Sequence, residues 1–426
     1  MNVTAIIAEY NPIHNGHVQH IINARKETNA DYMIGIMSPD HVQRGCPSII
    51  SKYERTLNAL TAGLDLIVEL PHYYSTGSLD YFSSGAVSLI KNLGVVNCIS
   101  FGSECGDLNL LKDAAEYISA SQKHESPLLY KNLIKGINYA KAINSDKNIP
   151  ESISKVLNTP NNLLGTSYII SAKKLSFECN FHTTKRYVSD YHDTSSGALS
   201  SKALRNDILS APGTSTAPDL TSLIGRIPEE VYNSLTDYFI DHRPISLDDY
   251  SLLLFYKLNS IDSAEALTDY LDVSDNLAHK ILKQYKHAGS FSSLCSKLKS
   301  KDLVYSRINR SLMHILLDIT QKNSTEYIND GFHYYIKPLG FKKNAIPLLR
   351  TLKQHSRLPI ISKNADAENI LKNYYYSSEK NNALLYKRAL RMFSEGISAA
   401  ELYNKTLSVR SNINFISEYE HSPVIL

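Results

Sequence analysis

The sequence has no tryptophan, only five cysteines among 426 residues, and no apolar run that approaches the ~20 residues a membrane-spanning helix needs. Cys46, Cys98, Cys105, Cys179 and Cys295 are odd in number and scattered, and none forms a C-x-x-C pair. That excludes a disulfide framework and a cysteine-rich zinc site, and it fits a reducing compartment. The opening MNVTAIIAEYNP lacks the basic stretch and apolar core of a secretory leader. A cytoplasmic protein with no membrane partner is expected. Excess charge of one sign is nearly absent overall, at +3, but its distribution is uneven. Between Lys280 and Arg391 stand 21 Lys and Arg against 7 Asp and Glu, a local +14, which leaves 3 − 14 = −11 for the rest. A basic half on an acidic remainder points to a polyanionic partner for that half.

The length suits two or three domains. In the first half, apolar runs at Asn2–Glu9, Asp31–Met37, Asp65–Leu70 and Val95–Phe101 read as strands. Asn15–Lys26, Tyr53–Ala62 and Leu79–Leu93, the last closing on Gly94, read as the intervening helices. Thr184–Ser189 is a further strand candidate. Strands alternating with helices of this length predict an α/β fold, a Rossmann-like parallel sheet with helices on both faces. Ser210–Asp219 (SAPGTSTAPD) reads as a linker, and the chain beyond it is mainly helical, with apolar helical spacing at Leu252–Leu258, Asn276–Ala288 and Arg307–Ile319. Phe332–Ile336 and Leu358–Ile361 are short strand candidates. We therefore expect a nucleotide-handling domain over residues 1–212 and a helical, basic domain over 213–426.

Ligands of such sheets lie beyond the carboxyl ends of the strands. Three loops qualify: Tyr10–His17, Ser38–Gly45 and Gly102–Cys105. In the first, a buried strand ends, the chain turns at Asn11-Pro12, and a helix starts near Gly16. A helix start attracts phosphate through its open N–H groups and dipole. Gly16 would let a phosphate approach the backbone. His14 and His17, three residues apart, are placed to direct both rings into one pocket and donate hydrogen bonds to phosphate oxygens. A lone loop histidine is ordinarily a cap or surface residue; the spacing and the strand–helix context favour function here. A second cluster, Ser200-Ser201-Lys202-Ala203-Leu204-Arg205, opens another helix with hydroxyls and cations suited to a departing pyrophosphate. Alone it would be ordinary helix-start chemistry.

At these residues the sequence resembles the H-x-G-H nucleotidyltransferase superfamily. It is similar in particular to the bacterial tRNA(Met) cytidine acetate ligase family. The resemblance runs over nearly the whole chain: AEYNPIHNGH at Ala8–His17, VQRG at Val42–Gly45, DLIVELP at Asp65–Pro71, FGSE at Phe101–Glu104, PNNLLG at Pro160–Gly165 and LLDI at Leu316–Ile319, then LGFKK and LPIISK. It departs from the family at Ser38-Pro39-Asp40-His41, at Cys46, and at Lys202, where the superfamily often has threonine.

The resemblance implies two steps. Acetate attacks the α-phosphate of ATP to give acetyl-AMP and pyrophosphate. The exocyclic amine of the wobble cytidine of elongator tRNA(Met) then takes the acetyl group. It implies ATP contacts at Ile7, Ala8, Glu9, Tyr10, Asn11, Pro12, His14, Asn15, Gly16, His17 and His20. Further contacts fall on Gly102, on Asn161 or Asn162, and on Arg186. His14, His17, Ser201, Lys202 and Arg205 carry the catalytic expectation. Magnesium is expected with ATP, as such chemistry ordinarily uses it. Each position also has a plain reading: a turn glycine for Gly102, an N-cap for one asparagine, a solvated strand edge for Arg186, and a surface loop for Gln43 and Arg44.

In the basic half, Lys280, Lys283 and Lys286 recur every three residues, and Lys297, Lys299, Lys301, Arg307 and Arg310 follow. Lys342, Lys343 and the run Tyr374-Tyr375-Tyr376 come later. Cations neutralise phosphates and aromatic rings stack on unpaired bases. We expect an RNA surface that includes Lys283, Lys286, Arg307, Arg310, Lys342 and Lys343. Two other readings use the same motifs: a metabolic adenylyltransferase, which leaves the basic half unexplained, and a non-catalytic RNA-binding protein, which leaves intact His14, His17, Ser200 and Arg205 unexplained. Oligomeric state is not legible in the sequence.

Overall fold

The computed structural model describes residues 1–123, 149–186, 200–210, 217–300, 303–377 and 381–426. Its centre is a seven-stranded sheet in the order β7-β6-β1-β2-β5-β8-β9. The strands are β1 (Val3–Ala8), β2 (Tyr32–Met37), β5 (Leu66–Glu69), β6 (Cys98–Ser103), β7 (Asn180–Lys185), β8 (Pro338–Phe341) and β9 (Val424–Ile425). β3 (His41–Val42) and β4 (Cys46–Pro47) form a separate small hairpin. Pairing is parallel from β7 through β5. β8 then runs antiparallel to β5.

The apolar runs form these strands because both faces are covered. In β1, Val3 and Ala5 enter one core and Ile6 the other. On one side lie α1 (Asn15–Glu27) and α2 (Lys52–Thr61); on the other lie α3 (Leu79–Leu93), α4 (Leu108–Lys123) and α5 (Pro160–Lys174). The expected β1, β2 and β5 and the helices between them stand within one residue of their sequence bounds, as end fraying allows, while β6 starts three residues later than expected and ends two later.

Three expectations shift. The strand anticipated at Thr184–Ser189 is β7, Asn180–Lys185; residues 187–189 lie outside the described residues. Phe332–Ile336 and Leu358–Ile361 reduce to one bridge, Ile336 to Ile360. The strand of that region is β8, whose Pro338, Leu339 and Gly340 carry no alternating pattern that would reveal it. The linker expectation falls largely on residues 211–216, outside the described residues.

Past α6 (Ser201–Ser210), the chain is helical, with α7 (Glu229–Asp241), α8 (Ser251–Asn259), α9 (Asp275–Gln284), α10 (Tyr305–Leu316) and the 29-residue α11 (Ala383–Ser411) among its elements. Residues on both sides of position 212 share cores. Val231, Leu235 and Phe239 of α7 pack with Ile21 and Leu60, and β8 and β9 complete the sheet.

The C-terminal segment is fixed by charge. Lys52 Nζ lies 2.7 Å from Glu418 and 3.1 Å from Glu69, and Lys337 Nζ lies 2.9 Å from Glu418. Lys52 and Glu418 are essentially sealed from solvent. Burial alone would pull the Lys52 ammonium down, but Glu418 and Glu69 hold it well above its usual value. Burial alone would raise Glu418, yet Lys52 and Lys337 hold it well below the carboxylate range. Removing one member leaves the others as uncompensated buried charge. Glu418→Ala is expected to lower the unfolding free energy in urea by about 3–5 kcal/mol. Lys155→Ala, which breaks only the exposed pair with Glu151, should cost under about 1 kcal/mol. Equal effects would mean that the cluster does not hold the C-terminus.

Candidate active site at the ends of β1 and β6

The loop after β1 is held by residues far away in sequence. Tyr10 takes a left-handed backbone (φ 48°), and the Asn11–Pro12 peptide is cis. Asn11 Oδ1 accepts from Ile49 N at 3.0 Å, and its carbonyl accepts from Arg205 Nη1 at 2.7 Å. Ser201 Oγ donates to Pro12 O at 3.2 Å. The second cluster thus meets the first loop. Two of its members spend hydrogen bonds on loop carbonyls, and Lys202 is exposed.

His14 caps α1 and is buried, with only 2% of its surface exposed. Its ring stacks on that of His17, with centroids 3.7 Å apart and planes at 21°. Tyr10 meets His17 edge-on at 5.2 Å. His17 Nδ1 accepts from the His14 N–H at 3.3 Å, so in a neutral ring the proton sits on Nε2. His17 therefore presents a fixed N–H donor. Gly16 has a packing role that the sequence did not suggest. A Cβ there would sit 3.0 Å from His14 Cε1, so the glycine makes room for the imidazole. Asn15 N, one of the open helix-start donors, is occupied by Arg226 O at 3.0 Å.

The histidines are uncharged. Burial pushes His14 down to about 3, with Arg186 and Arg226 adding to the effect. Burial and then His14 lower His17 well below its usual value. Burial, then His182 and Arg186, bring His20 to about 4. Positive charge converging on buried neutral rings makes a setting for an anion.

At the end of β6 the chain makes a clamp. Glu104 accepts from Asn161 N at 3.1 Å, from Asn161 Nδ2 at 2.7 Å and from Asn162 N at 2.7 Å. Asn162 Oδ1 in turn accepts from the amides of Glu104 and Cys105 at 2.8 and 3.1 Å. Both asparagines lie in the first turn of α5, where a carboxylate also complements the helix dipole. Asn162 is buried and committed to this loop, whereas Asn161 Oδ1 accepts from Arg186 Nη1 at 3.2 Å. A Cβ on Gly102 would fall 3.0 Å from Arg186 Cγ, so the glycine gives the arginine stem its path.

Ile7, Ala8, Glu9, Tyr10, Asn11, Pro12, Asn15 and His20 line the run from β1 into α1. Glu9 Oε1 accepts from Gln43 N at 2.9 Å, which joins the first and second loops. Lys342 and Lys343 are placed elsewhere. They follow Phe341, which pairs with Leu66 at the start of β5, and Lys342 N donates to Asp65 O. That is the opposite end of the parallel strands from the histidines. Lys283 and Lys286 are exposed. Arg307 and Arg310 are half-buried on α10, and Arg310 Nε lies 3.1 Å from Asp272. Lys301 lies outside the described residues. Tyr375 is core rather than a stacking surface, its hydroxyl donating to Tyr334 O.

Comparison with known proteins follows the same lines. Residues 1–412 match the model of the HIGH nucleotidyl transferase family. The tRNA(Met) cytidine acetate ligase of Thermoanaerobacter sp. strain X514 is 37% identical over 390 residues, spanning 88% of this chain and 91% of its own. The Clostridium botulinum (strain Okra) ligase is 31% identical over 446 residues, 100% and 99% of the two chains. This chain belongs to the tRNA(Met) cytidine acetate ligase family. Two crystal structures of Thermotoga maritima TmcAL, each 25% identical and matched over the full length of both chains, have the same fold. The one bound with alpha-thio ATP gives a TM-score of 0.86, and the apo form 0.88.

Sequence reading did not single out four residues that the structure sets against these loops and histidines: Arg55, Arg226, Ser100 and His182. None stands in a motif. A buried arginine in α2 and a serine inside β6 look like core composition until their partners are placed.

The neutral histidines generate a pH prediction. A group whose pKa is lowered on folding binds its proton in the unfolded chain first. Stability is then fully present above the unfolded value of about 6.5 and falls as pH drops below it. His41 (about 3) and His72 (about 4) act in the same direction as the site trio, burial being the leading cause in each. Urea midpoints should fall steeply between about pH 7 and pH 5. A flat profile there would show that these rings take up protons in the fold as readily as in the unfolded chain.

Proposed function

We propose that the chain is an ATP-dependent ligase that activates acetate as acetyl-AMP and transfers the acetyl group to the wobble cytidine of elongator tRNA(Met), giving N4-acetylcytidine. The observation that carries this reading is the His14–His17 stack at the start of α1, neutral and flanked by the positive field of Arg186 and Arg226. Family membership and the likeness to an ATP-analogue-bound structure support it.

In the first step an acetate oxygen bonds to the α-phosphorus and the bond to the pyrophosphate oxygen breaks. Negative charge grows on the phosphate oxygens. His17 Nε2–H is a donor whose direction is set before the reaction, the arrangement that favours a transition state over a ground state. Arg186, positioned by Asn161 and Gly102, supplies positive charge on the β6 side. Ser201 and Arg205 fix the loop that carries His14, and Lys202, exposed at the start of α6, is the cation left for the pyrophosphate. In the second step the cytidine amine attacks the acetyl carbon, AMP departs, and the amine gives up a proton. The base must leave its stack to reach that carbon. Among the described residues no three His, Cys, Asp or Glu side chains gather to hold a metal. Magnesium would therefore enter on the triphosphate, with phosphate oxygens and water as its main ligands. Lys283 and Lys286, exposed, and Arg307 and Arg310 on α10 supply the RNA-facing charge in this reading, while Lys342 and Lys343 would serve only a part of the tRNA that reaches the far end of the sheet.

The direct test is transfer of labelled acetate to bacterial tRNA with and without ATP. Label that requires ATP and maps to the wobble cytidine is expected. No label, with pyrophosphate release driven by a mononucleotide instead, would overturn the substrate. His17→Ala should lower turnover by roughly two to four orders of magnitude with tRNA affinity held. Lys283→Ala with Lys286→Ala should weaken tRNA binding and reduce the slope of log affinity against log salt by up to about two. An unchanged slope would remove these lysines from the surface.

A further inference from the structure

Behind the nucleotide loop, four polar side chains form a continuous line from α1 to the protein surface. His20 Nε2 lies 2.9 Å from Ser100 Oγ, and Ser100 Oγ lies 2.9 Å from His182 Nδ1. His182 Nε2 lies 2.7 Å from Glu27 Oε2. Ser100 and His182 are direct neighbours across β6 and β7, while His20 and Glu27 both come from α1. Glu27 is half-exposed and His182 nearly covered. No family motif quoted above includes Ser100, His182 or Glu27.

The line has a direction. An ionised carboxylate only accepts, so the proton on His182 sits at Nε2 and donates to Glu27. In a neutral ring Nδ1 is then bare. The single hydroxyl hydrogen of Ser100 goes to it, and Ser100 Oγ accepts from His20 Nε2–H. His20 Nδ1, which makes no hydrogen bond among the described residues, is thereby left as an acceptor. Burial keeps His20 uncharged at neutral pH. The position of Glu27 fits a functional load. It is the last residue of α1, where a negative charge opposes the helix dipole, beside Arg25 and Lys26, which complement it.

We propose that Glu27, His182 and Ser100 are positioning residues that set the tautomer of His20, so that its Nδ1 accepts a hydrogen bond from a donor group of the bound nucleotide. His20 lies three residues beyond His17 on one face of α1, the same side of the site. A nucleotide offers two kinds of donor at such a distance from the phosphates: a ribose hydroxyl and the exocyclic amine of the base. The nucleotide contact rests on the ATP reading above; the tautomer does not.

The test begins on nucleotide-free protein with ¹⁵N-labelled histidine, at about pH 8, where an ordinary histidine is neutral. Long-range ¹H–¹⁵N spectra should show His20 protonated at Nε2. Glu27→Lys puts a donor where an acceptor stood, so His182 should carry its proton on Nδ1 and His20 should shift toward the Nδ1–H form. Glu27→Ala and Ser100→Ala should leave His20 mixed. Glu27 is exposed, so its variants test the relay even if Ser100→Ala fails to fold. An identical His20 tautomer in the unaltered protein and Glu27→Lys would overturn the relay, because a merely structural Glu27 would not move that signal. With ATP, Glu27→Lys should raise KM by roughly three- to tenfold and change kcat less. The unaltered protein should discriminate against either 2′-deoxy-ATP or the analogue lacking the 6-amine, which identifies the donor, and Glu27→Lys should narrow that discrimination. A switched tautomer with unchanged discrimination against both analogues would refute the nucleotide contact. Absence of ATP binding by the unaltered protein would instead sink the functional reading, with the spectra still deciding the relay.

Discussion

One guanidinium ties the ends of the central strands together. Arg55 is fully buried in α2. Its Nη1 donates to Glu9 O at 2.8 Å and to Ser38 O at 2.9 Å; its Nη2 donates to Pro39 O at 2.5 Å, and its Nε to Ile50 O at 3.3 Å. Those carbonyls belong to the loops that leave β1 and β2. Buried carbonyls without partners cost stability, and a buried charge without partners costs more. Each resolves the other here. The planar fork can reach four oxygens at once, which a lysine ammonium on a flexible stem would not reproduce. The loop that presents His14 and His17 therefore has its entry fixed by Arg55 and its middle fixed by Arg205 and Ser201.

The same helix turns a second cation toward the C-terminus. Lys52 gathers Glu69 from β5 and Glu418 from the last segment, and Lys337 joins them from just before β8. The net charge of +14 between Lys280 and Arg391 is therefore not all surface. Lys337 is spent inward, Arg310 faces Asp272, and Arg388 and Arg391 face Asp330 and Glu326. What remains for a polyanion is carried by side chains such as Lys280, Lys283, Lys286 and Lys343, which are exposed. Composition identified the excess, but only packing distinguishes a cation that holds the fold from one that meets a ligand.

That distinction also sets how much of the site was legible. β1, β2, β5 and β6 were readable because strands covered on both faces need unbroken apolar runs, and α1 and α3 because their apolar spacing is helical. The histidine pair was readable because it stands at a strand–helix junction, and the Ser200–Arg205 cluster because its hydroxyls and cations open a helix. β8 was not, since Pro338-Leu339-Gly340 has no strand signature and is recruited by the exposed edge of β5. Arg55, Ser100 and His182 were not, because their roles consist mostly of contacts with distant parts of the chain, up to 155 residues away. For Asn161 and Asn162 the resemblance left the choice open. The structure gives them different partners: Asn162 Oδ1 accepts from the Glu104 and Cys105 amides, while Asn161 donates Nδ2 to Glu104 and accepts from Arg186 at Oδ1.

The two halves meet where a side chain would not fit. Gly45, at the tip of the β3–β4 hairpin, has φ 68°, and a Cβ there would lie 2.4 Å from the backbone nitrogen of Arg310. The loop beside Glu9 and the helix that carries Arg307 and Arg310 thus touch backbone to backbone. A contact of that kind has no rotamer to adjust, so a shift of α10 must move the hairpin or separate from it. Gln43 N is bonded to Glu9, and Glu9 O to Arg55, so the hairpin is itself tied to the nucleotide loop. α10 is thereby registered against the loop of the histidine pair by contiguous backbone and one buried guanidinium. That rigidity suits the proposed reaction, in which an acyl intermediate and the base that takes its acyl group must be held in fixed register.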